Sequence, residues 1–86
     1  MERSAIAEAL SNATRICVGV RNIDFSKSME DYSISSLDRA EILSMTTRAL
    51  RVRVAFAQLF KAANIAELVD VIYAAAHATD LSAPPA

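Results

Sequence analysis

The sequence predicts an all-α fold: a small four-helix bundle with a long loop between helices 1 and 2 and a short helix 3. Three observations point there. Alanine and aliphatic residues dominate a chain of 86 residues with a single glycine, Gly19, and no tryptophan, and such a mix favours helices over strands. Apolar residues recur at steps of three and four in three stretches, the period of a helix that buries one face. The one alternating run, Arg51-Val52-Arg53-Val54, is too short to stand as a sheet without a partner strand.

Helix 1 is expected from about Ser4 to Val18, with Ile6, Leu10, Ala13, Ile16 and Cys17 as its apolar stripe and Glu8, Ser11, Asn12 and Arg15 opposite. Cys17 reads as a buried, inert thiol, because no base lies nearby in the chain. Gly19 ends the helix by accepting a left-handed backbone. Val20 to Ile34 then forms a loop that is long for so small a domain. Val20, Ile23, Phe25, Met29, Tyr32 and Ile34 are its candidate anchors, with a helical turn expected around Ser28 to Tyr32, where Glu30-Asp31 begin a turn.

Helix 2 is expected from Ser36 to about Leu50. At about 100° per residue, Ile42, Leu43, Met45, Thr46, Ala49 and Leu50 share one arc, and Glu41, Ser44, Thr47, Arg48 and Arg51 share the other. Leu37 falls among the polar residues, an apolar side chain on the wet face. Arg51 to Val54 reads as an extended linker with inward valines. Helix 3, about Ala55 to Lys61, is expected to bury Phe56, Leu59 and Phe60. Asn64 caps helix 4, with Glu67 at the capping-box position and Ile65, Leu68, Val69, Ile72 and Ala76 as its buried stripe. His77 is placed near that helix's C-terminus, where positive charge is favourable. The domain is expected to span residues 1–78, and 79–86 reads as a disordered tail.

A domain of this size buries only roughly 60–65% of the surface of its unfolded chain, which leaves little room for an enclosed active site. The formal net charge of −1 disfavours a nucleic-acid partner, which requires a basic face. One cysteine cannot make an internal disulfide, so a reducing compartment is the default. No apolar run approaches a membrane span and no leader pattern opens the chain. A cytoplasmic monomer without membrane or metal partners is expected. Catalytic residues are not expected either: there is no histidine or cysteine pair and no glycine-rich phosphate loop. Asp38 and Glu41 read as solvated helix-surface charges.

The stretch with chemical content is Asp31-Tyr32-Ser33-Ile34-Ser35-Ser36-Leu37-Asp38-Arg39-Ala40-Glu41-Ile42, a loop running into helix 2. Ser35 is the candidate N-cap, with Asp38 three residues later as its acidic partner. Ser36 falls on the first helical residue. Without a neighbouring base it is a poor nucleophile, but an accessible acceptor for a group attached by another enzyme.

Helix, long loop, serine at the tip of a second helix, short helix and last helix: this order resembles the acyl carrier protein family over roughly Ile6 to Ile72. The family's attachment motif, Gly-hydrophobic-Asp-Ser-Leu followed by Asp and then Glu, stands here as Ser33-Ile34-Ser35-Ser36-Leu37-Asp38 and Glu41. The resemblance implies 4′-phosphopantetheine carried on Ser36, with a phosphopantetheinyl transferase as partner. It implies a partner-binding surface of Leu37, Asp38, Arg39, Ala40, Glu41 and Ser44 with Phe56. Ser36-Leu37-Asp38-Arg39-Ala40-Glu41-Ile42 and Ala63-Asn64-Ile65-Ala66-Glu67-Leu68-Val69-Asp70 look most like the discrete donor carriers of polyketide β-branching cassettes. That likeness implies an acetyl group held as a thioester and delivered to an HMG-CoA-synthase-like enzyme, after loading by a ketosynthase or decarboxylase.

Two departures bear on this reading. Ser33 and Ser35 stand where the family has glycine and aspartate. A serine keeps the capping function of the aspartate but removes a charge beside the attachment site, which predicts weaker recognition by the transferase. From Ser36 to Arg51 the chain holds Asp38 and Glu41 against Arg39, Arg48 and Arg51, formally +1. Fatty-acid carriers typically show an acidic second helix to basic partners, and mismatched charge suppresses such encounters. The alternatives are a stand-alone carrier of another polyketide or specialised fatty-acyl pathway, and an unmodified carrier-like interaction module whose serines only cap a helix.

Overall fold

The computed structural model describes residues 1–81, with side chains through His77. Among them are four helices, α1 (Arg3–Val18), α2 (Ser36–Leu50), α3 (Phe56–Phe60) and α4 (Ile65–Leu81), with a 3-10 turn at Glu30–Tyr32 inside the long loop. α1 packs on α2 and α4, and α3 closes the bundle against α2 and α4. No helix among the described residues is long and apolar enough to cross a membrane.

The stripes meet in one core. Ile6, Leu10, Ile42, Leu43 and Ile72 are fully buried, joined by Leu59 from α3 and by Ile65, Leu68, Val69 and Ala76 from α4. Each large aliphatic side chain so buried contributes about 1.5–3 kcal/mol of transfer free energy. Two threonines also lie inside. Thr14 donates its hydroxyl to the Leu10 carbonyl at 2.8 Å and Thr46 to the Ile42 carbonyl at 2.7 Å, so neither leaves a buried polar group unpaired.

Several expectations need correction. Ile16 is 62% exposed: the buried arc of α1 runs from Ala13 through Ile6 and Leu10 to Thr14, and Ile16 lies off its edge at 100° per residue. Cys17 is only half-buried, and its thiol donates to the Met45 sulfur at 3.2 Å. Ala49 is exposed on α2. Phe56 and Phe60 remain 41% and 44% exposed, because a five-residue helix can turn one side chain fully inward, and that side chain is Leu59. The two rings flank it and pair with each other at 6.0 Å. α4 continues to Leu81, so residues 79–81 of the expected tail are helical and His77 lies before the last turn, its ring against Tyr73 at 4.2 Å. The remainder of that tail, 82–86, lies outside the described residues.

The long loop is tied down at both ends. Gly19, at φ 75°, closes α1 by donating its N–H to the Arg15 carbonyl. The first amides of α4, on Ile65 and Ala66, donate to the loop carbonyls of Lys27 and Phe25 at 2.9 and 2.8 Å, while Asn64 Oδ1 accepts the Glu67 N–H at 2.8 Å. The helix's orphan donors thus hold the loop in place. Within the loop, Ser28 and Asp31 cap one another reciprocally, and Met29 and Ile34 are buried beneath.

Candidate functional site

The junction between loop and α2 is built by two unusual backbone choices. Ser33 sits in the left-handed region at φ 58°, ψ 31°, and its N–H donates to the Glu30 carbonyl at 2.9 Å. That reversal is where the related motif has glycine, and it swings the chain from the 3-10 turn toward α2. Ile34 follows, buried at 6% exposure, with its N–H bonded to the Met29 carbonyl. The approach to the helix is thereby fixed in direction.

Ser35 then caps α2 from an extended backbone, φ −66° and ψ 161°. Its hydroxyl accepts the Asp38 N–H at 3.2 Å, and its carbonyl accepts the Arg39 N–H at 2.8 Å. The reciprocal half of the capping box, from the Asp38 carboxylate back to the Ser35 amide, is not made among the described residues. Ser36 is the first residue of the helix and is exposed. Its hydroxyl has no hydrogen-bond partner among the described residues, so nothing competes with an incoming group. The positive end of the α2 dipole lies beside it, and a phosphodiester is the kind of anion such an end favours. The residues present therefore fit a phosphate-linked arm.

The residues singled out as a partner surface are divided by the fold. Leu37 is 79% exposed, Glu41 is exposed, and Asp38, Ala40 and Ser44 are half-buried along the same helix. Phe56 lies on α3 with its ring open to solvent. Arg39 turns the other way. Its side chain is only 22% exposed; the guanidinium lies 3.8 Å from the Glu30 carboxylate and 5.6 Å from the Phe60 ring centre. Its Nε is buried without a partner among the described residues. Arg39 precedes Ile42, Leu43 and Thr46 by three, four and seven residues, the spacing of one helix face, and that was the available signal for its inward turn.

Beneath this surface the Cys17 thiol is pushed up from its ordinary value, mainly by burial and further by the Glu41 and Asp38 carboxylates. It stays protonated at neutral pH and is a poor nucleophile. Among the described residues no group of three or more His, Cys, Asp or Glu side chains is placed to hold a metal ion. What the site can do is present one hydroxyl outward.

No curated protein and no solved structure matches the chain. The family model described as phosphopantetheine attachment site matches residues 4–72, which spans all four helices up to the middle of α4. The chain belongs to that family, the acyl carrier proteins, whose members carry covalent 4′-phosphopantetheine and work with a phosphopantetheinyl transferase and catalytic partners as carriers rather than catalysts.

Proposed function

We propose that Ser36 is the attachment point, and that the loaded chain holds an acetyl group as a thioester and delivers it to an HMG-CoA-synthase-like enzyme in polyketide β-branching. The observation that carries the attachment is the exposed, unbonded Ser36 hydroxyl on the first residue of α2. When bound, the phosphopantetheine arm supplies the thiol that holds the acyl group.

This chain's own residues hold and orient. Ser35 fixes the start of α2 so that Ser36 points outward. The unpaired first-turn amides favour the phosphodiester once it is formed. Leu37, free of the core, offers an apolar contact beside the attachment point, and Asp38, Ala40, Glu41 and Ser44 extend that surface along the helix. Phe56 supplies an aromatic flank from α3. Interfaces of this limited extent exchange quickly, which suits a protein that must leave after delivery. The +1 balance from Ser36 to Arg51 speaks against a fatty-acid role, and the likeness of two motifs to those of donor carriers supports the β-branching one.

Intact mass after incubation with coenzyme A and a promiscuous phosphopantetheinyl transferase tests the attachment. The mass of one phosphopantetheine arm is expected on the wild type and is lost in Ser36→Ala. A wild type that takes no arm, or a variant that still does, overturns it. Acetyl-loaded protein is then offered to an HMG-CoA-synthase-like enzyme with a β-ketoacyl acceptor carrier. Failure to transfer, with transfer by a fatty-acid ketosynthase instead, refutes the pathway.

A further inference from the structure

Charge is unevenly spread along this chain. Between Glu41 and Glu67 there is no aspartate or glutamate, while Arg48, Arg51, Arg53 and Lys61 all fall there, so the stretch carries +4 in a chain of net charge −1. It comprises the second half of α2, the extended linker and α3. All four cations are exposed. None of them makes an ion pair among the described residues, where the paired cations are Arg3 and Arg39. Val52 turns into the core between Arg51 and Arg53, and the open Phe56 ring follows three residues later. The partial negative charge at the end of α2 accounts for cations in its last turn, which covers Arg48 and Arg51 but not Arg53. At about 100° per residue, Leu37, Glu41, Ser44 and Arg48 share one face of α2, and that face changes character along its length. Beside Ser36 it is apolar and acidic, with Leu37, Asp38 and Glu41. About 17 Å of helix rise further on, it is wholly cationic.

We infer that Arg48, Arg51 and Arg53 with Phe56 form a docking patch for an acidic protein surface, whose carboxylates lie about 17 Å from the point where the same partner meets Leu37. This is the inverse polarity to the acidic second helix of fatty-acid carriers. The relation of the patch to an attachment point rests on the carrier reading of Ser36; the patch itself does not. Two signs on one face also fix a direction. A partner turned end for end sets its carboxylates against Asp38 and Glu41, and like charges so placed reject it. A nucleic acid or an anionic membrane is a poorer fit, because the acidic pair on the same face repels a continuous polyanion lying along it. Exposed cations of this kind contribute modestly one by one, so the patch suits a contact that forms fast and breaks fast.

The probe is a helical peptide with glutamates at one end and leucines at the other, titrated into the ¹⁵N-labelled full chain and followed by nuclear magnetic resonance. The amides of Arg48, Arg51, Arg53 and Phe56 are expected to shift most, and the affinity to fall steeply with added salt. A spin label on the leucine end is expected to broaden Leu37, and one on the glutamate end to broaden Arg51. Arg48→Glu with Arg53→Glu is expected to weaken binding about tenfold, and Arg48→Gln with Arg53→Gln to weaken it less; Arg51 is spared because it holds φ 56°. Arg15→Glu with Arg21→Glu makes the same change in net charge at exposed positions outside the patch and is expected to leave binding within about twofold. Equal loss in the two Glu pairs, no loss in either, or the reverse pattern of broadening overturns the inference. So does a lysine version of the peptide that binds the same amides as well, or a DNA duplex or phosphatidylglycerol vesicle that binds them more tightly. Absence of a phosphopantetheine load on Ser36 overturns the carrier reading alone, since the peptide measurements decide the patch without it.

Discussion

Replacing Ser35 separates the two things the family's aspartate does at this position, capping and charge. In this chain the cap is a single bond, from the Asp38 N–H to Ser35 Oγ at 3.2 Å, on an exposed residue. Removing an N-cap hydroxyl typically costs about 0.5–2 kcal/mol. The long bond and its exposure place Ser35→Ala in the lower half of that range, about 0.5–1 kcal/mol. In a domain of this size about 1 kcal/mol corresponds to 4–8 °C in Tm, so Ser35→Ala is expected to melt about 2–8 °C lower. Ser35→Asp keeps an acceptor at the same place and adds a negative charge at the helix N-terminus, a gain of about 0.3–1 kcal/mol at low salt. Its Tm is expected to rise, and the gain to shrink as salt is added and as the new carboxylate is protonated in acid. Thermal unfolding followed by circular dichroism, at low and high salt, measures both. In parallel, the rate of transferase modification is expected to rise in Ser35→Asp, because the lost charge is restored beside Ser36. An unchanged Tm for Ser35→Ala, or a lower one for Ser35→Asp, refutes the assignment of Ser35 as the energetic cap.

Ser33→Gly is expected to stabilise the protein by about 0.5–1 kcal/mol, since Ser33 holds φ 58° and glycine avoids most of the left-handed penalty while giving back some chain entropy; a lower midpoint in urea would contradict it. Ile72→Val, at a fully buried site, is expected to cost about 0.5–1.5 kcal/mol by the same measurement, and a neutral result would show that the core collapses freely around it. The Asp24 carboxyl is held below the ordinary range, first by the Ser26 hydroxyl and then by the Ser26 N–H, against an opposing effect of burial, with Lys27 adding the smallest contribution. A lowered native pKa means that its contribution is complete above the ordinary carboxylate value of about 3.9 and is lost as pH falls through the lower native one. A ¹³C titration of Asp24 is expected to show a midpoint below that of a free aspartate, moving together with the Ser26 amide; a midpoint at or above it would refute the role given to the Ser26 hydrogen bonds.

Periodicity alone determined the helices, and with them most of the core. Ile42, Leu43, Ile65, Leu68 and Ile72 are buried as their spacing requires, because a helix that must hide one face leaves its inward positions little choice. Ser35, Ser36 and Leu37 were equally legible, since capping and the exposure of an off-stripe leucine are decided within a turn or two of chain. Tertiary structure decided what spacing could not. Whether Phe56 and Phe60 are covered depends on what packs over α3, and one short helix cannot bury both rings with Leu59. Ile16 falls outside the arc beyond Ala13 while Thr14 is taken in at the opposite edge, because the centre of that arc is set by the neighbouring helices. Arg39 was drawn inward because α3 and the long loop leave a gap there that its stem and charge can occupy. Local pattern carries the choice of element; the fate of a residue at the margin of a face is settled by the neighbour that arrives from elsewhere in the chain.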